Sequence, residues 1–258
     1  MSAPATAPPA GTATPTARVA IRDGFAWDDQ DSYLFDIDGT LLRSSDGVHY
    51  HSFFSSVQQE LGRELVLDGV VVHGNTDPGI LRDAFRLAKL NDADWQNALE
   101  PILERMRETV SKHRDEMAVH VMPGVPEVLQ HLRERGAKLG VATGNLETIG
   151  WLKIQAAGLR DWFKFGGFSD NCFTRPEMIG NAAALARAIA GENATVCVIG
   201  DTPFDISAAH ANKLPAIAVA TGNYSFDELL DSAPEVCTTT LQDLLDHTLN
   251  HQPQSSNK

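Results

Sequence analysis

The sequence predicts an α/β fold, a parallel sheet with helices on both faces, plus a smaller helical domain. The 258 residues are 43% hydrophobic and 21% charged, as in an ordinary globular protein. From residue 126 onward, short apolar runs alternate with amphipathic segments, which is the pattern of successive βα units. The run around Tyr33, Leu34, Phe35 and Ile37 has apolar residues on both faces, as a central parallel strand does.

Three segments are expected in chain order. Residues 1–20 are predicted to be a disordered tail, because the first sixteen are nearly all Ala, Pro, Thr, Ser and Gly. A transit peptide is the alternative, but such peptides are Arg-rich and the first basic residue here is Arg18. Residues 47–122, here called the insert, predict a helical domain with helices near 51–61, 79–90 and 94–114 and little sign of strands.

The α/β core is expected to comprise residues 21–46 and 123–250. Its second part, residues 123–250, alternates regularly between predicted helices and predicted strands. Helices are predicted at 126–135, 146–157, 176–190 and 203–211, strands at 138–142, 195–199 and 216–220, an apolar aromatic piece at 162–168, and two short elements at the end.

Composition excludes several classes of function. A net charge of −13 argues against binding to nucleic acid or to an anionic membrane surface, because both need clustered Lys and Arg. No apolar run has the length of a membrane span, and the N-terminus lacks the apolar region of a secretory signal, so we expect a cytoplasmic protein. The three cysteines lack the spacing of a metal site and are expected to be reduced thiols.

Two carboxylates follow the first predicted core strand. Asp36 and Asp38 are two residues apart and can point to the same site, and Gly39 lets the backbone turn close to a ligand. A divalent cation would offset their repulsion and prefers oxygen ligands. The simpler alternative is that Asp38, Gly39 and Thr40 only form a turn.

Polar residues also follow two other predicted strands. Thr143, Gly144 and Asn145 precede a helix and offer a hydroxyl and backbone amides to a phosphate, although Thr143 taken alone is better explained as the N-cap of that helix. Asp201 and Asp205 flank the start of another helix. The alternative role is helix capping for Asp201 and a favourable acidic charge in the first turn for Asp205.

Arg175 stands immediately before a helix that opens with proline. By itself it has the alternative of a solvated surface charge.

Taken in order, these residues resemble the four motifs of the haloacid dehalogenase superfamily. The segment 36–40, DIDGT, resembles the first motif, DxDGT; Thr143, Arg175 and the pair Asp201 and Asp205 match the second, third and fourth. The segment 73–77, HGNTD, resembles the Gly-x-Thr-Asp segment of phosphoglycolate phosphatase-like members. The resemblance implies a Rossmann-like core and a cap domain formed by the insert. Many members carry Lys in the third motif, where this chain has Arg175, so Lys164 is a second candidate for that role.

The resemblance also implies a reaction. It is the Mg²⁺-dependent hydrolysis of a small phosphorylated metabolite through an aspartyl-phosphate, with Asp36 as the nucleophile and Asp38 as the general acid and base. Thr143, the Gly144 amide and Arg175 would hold the phosphoryl oxygens. Gly39, Thr40 and Asn145 are further candidates for binding the phosphate. Mg²⁺ would be bound by the Asp36 carboxylate, the Asp38 backbone carbonyl and Asp201, with Asp205 a ligand or an orienting residue.

Other functions remain open at the level of sequence. A phosphomutase resembling β-phosphoglucomutase would use the same two acids, and a non-catalytic module could keep the same fold. Dehalogenation is disfavoured because the dehalogenase branch lacks the acid found here at Asp38. Candidates for contact with the substrate in the insert are His49, Tyr50, His51, His73 and Asn75. The sequence does not define the substrate or the oligomeric state.

Overall fold

The computed structural model describes residues 17–251. The strands are β1 (Val19–Ile21), β2 (Ser32–Phe35), β3 (Leu42–Ser44), β4 (Val119–Val121), β5 (Lys138–Ala142), β6 (Phe165–Gly167), β7 (Val196–Gly200), β8 (Ala216–Val219) and β9 (Val236–Thr238). The helices are α1 (Val48–Leu61), α2 (Asp77–Leu87), α3 (Asp92–Lys112), α4 (Val125–Glu134), α5 (Glu147–Ala156), α6 (Arg175–Ala190), α7 (Pro203–Ala211), α8 (Phe226–Leu230) and α9 (Leu241–His251).

A seven-stranded sheet with the order β1-β9-β8-β7-β2-β5-β6 forms the centre of the core. Every neighbouring pair is parallel except β1 with β9. Strand β2 lies between β5 and β7, so that Phe35 is level with Val141 and with Ile199. The next strand of this sheet after β2, β5, pairs on one side of β2, and the later strand β7 pairs on the other side. Strand order therefore reverses at β2, where parallel sheets of this kind bind their ligands beyond the strand ends.

Helices cover both faces of the sheet. Tyr33 and Phe35 point to one face and pack with apolar residues of α4, α5 and α9. Leu34 points to the other face and packs with apolar residues of α6, α7 and α8. The alternation follows from the two-residue period of a strand, and both faces are buried because helices cover both. The predicted α/β class is confirmed.

The helices of the insert have a hydrophobic cluster of their own. Phe53 of α1, Leu81 of α2 and Met106 of α3 are buried together in it, and Leu146 and Ile149 join them from the core. Strands β3 and β4 form an antiparallel ribbon where the chain enters and leaves the insert. The sequence missed this ribbon because three-residue strands show no periodicity. The assignment of residues 47–122 to a separate cap domain stays a prediction.

Two expectations about the chain ends need correction. The predicted tail ends too late, since Val19 and Ala20 belong to β1, whose backbone pairs with β9; residues 1–16 lie outside the described range. Three elements rather than two follow β8, namely α8, β9 and α9. Strand β1 is the outermost strand of the sheet, and β9, which lies between β1 and β8, has only three residues. Between residues 17 and 251, no helix combines the length and the apolar character needed to cross a membrane.

Because β2 is buried on both faces, we expect truncation of its side chains to destabilise the fold strongly. Leu34 is fully buried beneath α6, whereas Leu185 on that helix is 46% exposed. We expect Leu34→Ala to lower the free energy of unfolding by about 2–5 kcal/mol through lost burial and a residual cavity. Leu185→Ala, the same change at the surface, should alter it by about 0.5 kcal/mol or less. Urea denaturation of both variants tests this, and equal losses would contradict the central position of Leu34.

Candidate active site

Asp36 begins the site at the carboxyl end of β2. Its backbone N–H donates to the carbonyl of Ile199 at 2.9 Å, which continues the strand pairing and fixes where the side chain emerges. The carboxylate is buried, at 6% exposure. Burial raises its pKa to about 6; the Arg175 guanidinium opposes the increase, and the Asp205 and Asp38 carboxylates add to it. Ionisation of Asp36 is therefore disfavoured even with the Arg175 cation beside it.

Gly39 makes the turn that follows. Its φ of +91° is in the region that favours glycine, and an added Cβ would lie 2.3 Å from Asp201 Oδ2. The Thr221 hydroxyl donates to the Gly39 carbonyl at 2.6 Å. The turn therefore packs directly against Asp201, with no space for a larger side chain.

Arg175 lies between two of the acids. Its Nη2 is 2.9 Å from Asp36 Oδ1, and its Nε donates to Asp205 Oδ1 at 2.9 Å. Burial alone would lower the pKa of Arg175, but the Asp205 and Asp36 carboxylates raise it above its ordinary value. Lys164, the second candidate for this role, is exposed and immediately precedes β6, at the opposite edge of the sheet. The geometry therefore favours Arg175 over Lys164.

Three carboxylates form a candidate metal centre. Asp36, Asp201 and Asp205 are all buried, and each offers an oxygen within 4.8 Å of the other two. The Thr40 hydroxyl donates to Asp201 Oδ1 at 3.2 Å, so that Thr40 orients an acid. Burial, together with Asp36 and Asp205, raises the pKa of Asp201 well above its ordinary value. Buried, crowded oxygen donors fit a divalent cation, which would offset their repulsion.

Asp205 is already fully bonded within the protein. Its Oδ1 accepts from Arg175, and its Oδ2 accepts from the Thr202 N–H at 3.0 Å and from the Thr202 hydroxyl at 2.7 Å. The contact from the Thr202 N–H, together with the Asp205 N–H that donates to Thr202 Oγ1 at 3.3 Å, forms a capping box at the start of α7. Of its two predicted roles, Asp205 is better placed to orient the site than to bind a metal directly.

Asp38 is bound by a lysine that the sequence analysis missed. Lys153 of α5 is 3% exposed, and its Nζ is 2.7 Å from Asp38 Oδ2. Burial would raise the pKa of Asp38, but Lys153 and the Asn145 amide outweigh it and hold the pKa below its ordinary value. A sequence signal existed: Lys153 follows Ile149 by four residues and shares its buried helix face.

The second strand end positions Thr143, Gly144 and Asn145. Thr143 is buried, and its N–H donates to the Gly167 carbonyl at 3.1 Å. The Asn145 side-chain amide donates to Thr143 Oγ1 at 2.7 Å and to Asp38 Oδ2 at 2.8 Å. The side chain of Asn145 thus binds other residues of the site, and a phosphate role for it stays a prediction.

Gly144 is also the point where the insert touches the core. A Cβ at this position would lie 2.0 Å from the Asn75 carbonyl oxygen. The Asp77 N–H donates to the Gly144 carbonyl at 2.8 Å. Glycine is therefore needed here for close approach of the two backbones.

A cavity of about 500 Å³ separates the insert from the sheet edge. The core contributes Asp36, Asp38, Thr143, Gly144, Arg175 and Asp201. The insert contributes polar and aromatic side chains from α1 and from the loop before α2, including His49, Tyr50, Phe53, His73 and Asn75. His51 lies outside this cavity and lines a separate groove between α1 and α3. The residues of all four motifs thus lie close together, around a space with the volume of a small-molecule site.

Comparison with known proteins identifies the family. The model of the family described as haloacid dehalogenase-like hydrolase matches residues 33–219. The chain belongs to this family. The match includes β2, the insert and every strand end described above, and it confirms the prediction of an enzyme of this superfamily.

Individual relatives are distant but span most of the chain. The protein named "Probable phosphatase IndB" of Dickeya dadantii is 25% identical over 82% of this chain and 90% of its own. A protein named phosphoglycolate phosphatase of Rhodobacter capsulatus is 26% identical over 73% of this chain and 84% of its own. The crystal structure of a predicted phosphatase from Clostridium acetobutylicum covers 86% of this chain and 99% of its own, with 21% identity and a TM-score of 0.62. This last likeness supports the fold.

The tight turn at Gly39 gives a prediction with a matched control. Gly39→Ala and Gly24→Ala both place alanine at a positive φ, but only Gly39 has atoms within contact distance of the new Cβ. We expect Gly39→Ala to cost about 1–3 kcal/mol more in the free energy of unfolding than Gly24→Ala, because of overpacking against Asp201. Chemical denaturation of the two variants measures the difference. Equal costs would mean that Asp201 is not packed against this turn.

Proposed function

We propose that this chain is a Mg²⁺-dependent phosphomonoester hydrolase that acts on a small phosphorylated metabolite through an aspartyl-phosphate at Asp36. The observation that carries the proposal is the placement of Asp36. It is a buried carboxylate at the cavity floor, with Arg175 bonded to one oxygen and Asp201 beside it. The phosphatase names of the relatives from Dickeya dadantii and Rhodobacter capsulatus support the same reaction class.

The reaction would take place in two displacements. In the first, an oxygen of Asp36 bonds to phosphorus, the bond from phosphorus to the ester oxygen breaks, and Asp38 gives that oxygen a proton. In the second, Asp38 takes a proton from water, and the water oxygen displaces Asp36 from phosphorus. The products are an alcohol and inorganic phosphate. Asp38 lines the same cavity as Asp36, as both steps require.

The two cationic side chains of the site, Arg175 and Lys153, bind different carboxylates. Arg175 is bonded to Asp36 and Asp205 and would stabilise the oxygens of the transferring phosphoryl group, together with Thr143 and the Gly144 amide. Lys153 is bonded to Asp38 and keeps it ionised in the free protein, so the proton for the first step would enter with a monoanionic ester.

The metal centre would complete the charge balance. Mg²⁺, bound by Asp36, Asp201 and the Asp38 backbone carbonyl, would supply the positive charge that offsets the charge on the phosphoryl oxygens. Asp205 would orient Arg175 next to this centre through the contacts already described. The buried oxygen donors of Asp36 and Asp201 are of the type that Mg²⁺ prefers.

The volume and lining of the cavity support a small substrate. The insert lines one side of this 500 Å³ space, with His49, Tyr50, Phe53, His73 and Asn75 on the side where the leaving group would lie. A site of this volume would admit a metabolite in preference to a polymer. Phosphoglycolate therefore belongs in a test panel with sugar phosphates and nucleotides.

The nucleophile is tested by Asp36→Asn. Phosphate release from p-nitrophenyl phosphate and from the metabolite panel should fall by about 10³-fold or more, because the amide keeps the shape but cannot form the intermediate. Asp161→Asn, the same change at an exposed residue, should leave the rate unchanged. Turnover by Asp36→Asn at the wild-type rate would overturn the proposal. A requirement for a sugar bisphosphate, with phosphate returned to a sugar, would instead indicate the mutase.

The metal is tested by its removal. Chelation with EDTA should abolish turnover, and Mg²⁺ should restore it. Asp201→Asn removes a charged oxygen ligand, so we expect it to raise the Mg²⁺ concentration needed for half-maximal rate by about 10-fold to 100-fold. Titration of the rate with Mg²⁺ measures the shift. Activity that persists after dialysis against EDTA would exclude a metal-dependent reaction.

A further inference from the structure

We infer that Lys153 is a positioning residue for Asp38: it fixes one carboxylate oxygen, leaves the other to exchange the proton, and joins Asp38 to the insert through His49. The inference rests on the proposed function and adds residues that the four motifs do not contain. It assigns Oδ1 of Asp38 as the oxygen that acts on the leaving group.

The ammonium group of Lys153 is fully bonded. Its Nζ lies 2.7 Å from Asp38 Oδ2, 2.9 Å from Asn145 Oδ1 and 3.1 Å from His49 Nδ1. A lysine ammonium has three protons, so each contact uses one of them. Burying a lysine is costly unless its donors are satisfied, and here all three are. The side chain is therefore held in one position by partners from three elements of the site.

The two oxygens of Asp38 have different surroundings. Oδ2 accepts from Lys153 and from the Asn145 amide at 2.8 Å. Within residues 17–251, no protein group donates to Oδ1. The Asp38 side chain is 43% exposed, whereas that of Lys153 is 4% exposed, so the carboxylate borders the cavity and the lysine lies behind it. Oδ1 is thus the oxygen available to a substrate.

His49 extends this arrangement into the insert. Since lysine can only donate, His49 Nδ1 must be the acceptor, and its Nε2–H then donates to Asp77 Oδ2 at 3.1 Å. Asp77 Oδ2 also accepts the backbone N–H of Leu146 at 2.9 Å. Asp38 and Lys153 belong to the core, while His49 and Asp77 belong to α1 and α2 of the insert. The position of the Asp38 carboxylate therefore depends on how the insert sits on the core.

Experiment can distinguish a role of Lys153 in positioning Asp38 from a general structural role of Lys153. The proton from Asp38 matters when the leaving group is an alkoxide and matters little when it is the weakly basic p-nitrophenolate. Benzyl phosphate and p-nitrophenyl phosphate are similar in size but differ in this respect. The ratio kcat/KM covers the steps up to the departure of the alcohol. A merely structural change would lower kcat/KM for both esters alike.

The first test is Lys153→Met. We expect kcat/KM for benzyl phosphate to fall by about 10²-fold, the lower range for loss of a general acid, and kcat/KM for p-nitrophenyl phosphate to fall less than about threefold. Lys164→Met, the same change at an exposed lysine on the opposite sheet edge, should change neither value. Equal losses on the two esters, or no loss on either, would overturn the inference.

A double-mutant cycle tests whether Lys153 affects the reaction through Asp38. Asp38→Asn should itself lose benzyl phosphate activity, and adding Lys153→Met to it should cause no further loss, because the two residues act as a unit. Removing both charges also avoids an unpaired buried charge, so we expect the double variant to be more stable than Lys153→Met alone. A further loss of about 10²-fold in the double variant would show that Lys153 acts elsewhere.

The link to the insert is tested by His49→Phe, which leaves the pair of Lys153 with Asp38 intact. His49→Phe removes the hydrogen bonds of both ring nitrogens, and loss of the one to Lys153, about 1 kcal/mol, should lower kcat/KM for benzyl phosphate about fivefold and spare p-nitrophenyl phosphate. An equal effect on both esters would remove His49 from the inference.

The wild type and Asp36→Asn separate this inference from the proposed function. If the wild type with Mg²⁺ hydrolyses neither ester, the proposed function fails and the role of Lys153 fails with it. If the wild type hydrolyses both esters and Asp36→Asn neither, while Lys153→Met lowers both alike, only the inference about Lys153 is wrong.

Discussion

The repulsion between carboxylates at one sheet edge is the constraint on which the site depends. Asp36, Asp201 and Asp205 are buried within 4.8 Å of one another, and Asp38 borders the same cavity. Arg175 and Lys153 supply two positive charges against these four acids. The remainder is two negative charges, the amount that one divalent cation would offset. Arg175 and Lys153 each bind particular carboxylate oxygens, so the same contacts balance the charge and orient the acids.

The parallel sheet brings these acids together. Asp36 and Asp38 follow β2, Asp201 follows β7, and Thr143 follows β5, and β2 pairs with both other strands. The carboxyl ends of parallel strands share an edge, so residues more than a hundred positions apart become neighbours. Helices on both faces bury the strands and keep that edge rigid, while the insert covers it. Gly39 and Gly144 permit two close backbone approaches, one to Asp201 and one to the insert at Asn75.

The insert has two functions in this arrangement. It lines one side of the cavity with aromatic and polar side chains from α1 and the loop before α2, which would contact the substrate. Through His49 and Asp77 it also contacts the residues that hold Asp38. Recognition of the substrate and placement of the acid would therefore both depend on the same helices.

Sequence alone determined the fold class, because apolar periodicity is a local property of the chain. It also predicted the bounds of the insert and, through the family resemblance, the residues of the four motifs. The long helices and central strands were therefore predictable to within a few residues, whereas β1, β3 and β4 were not, since three-residue strands depend on their pairing partners. Only the tertiary structure decided that Lys153 binds Asp38, that both oxygens of Asp205 are bonded within the protein, and that the Asn145 side chain orients the acid. These assignments depend on distances between residues of different elements. A buried lysine and an exposed one have the same letter in a sequence, and packing alone distinguishes Lys153 from Lys164.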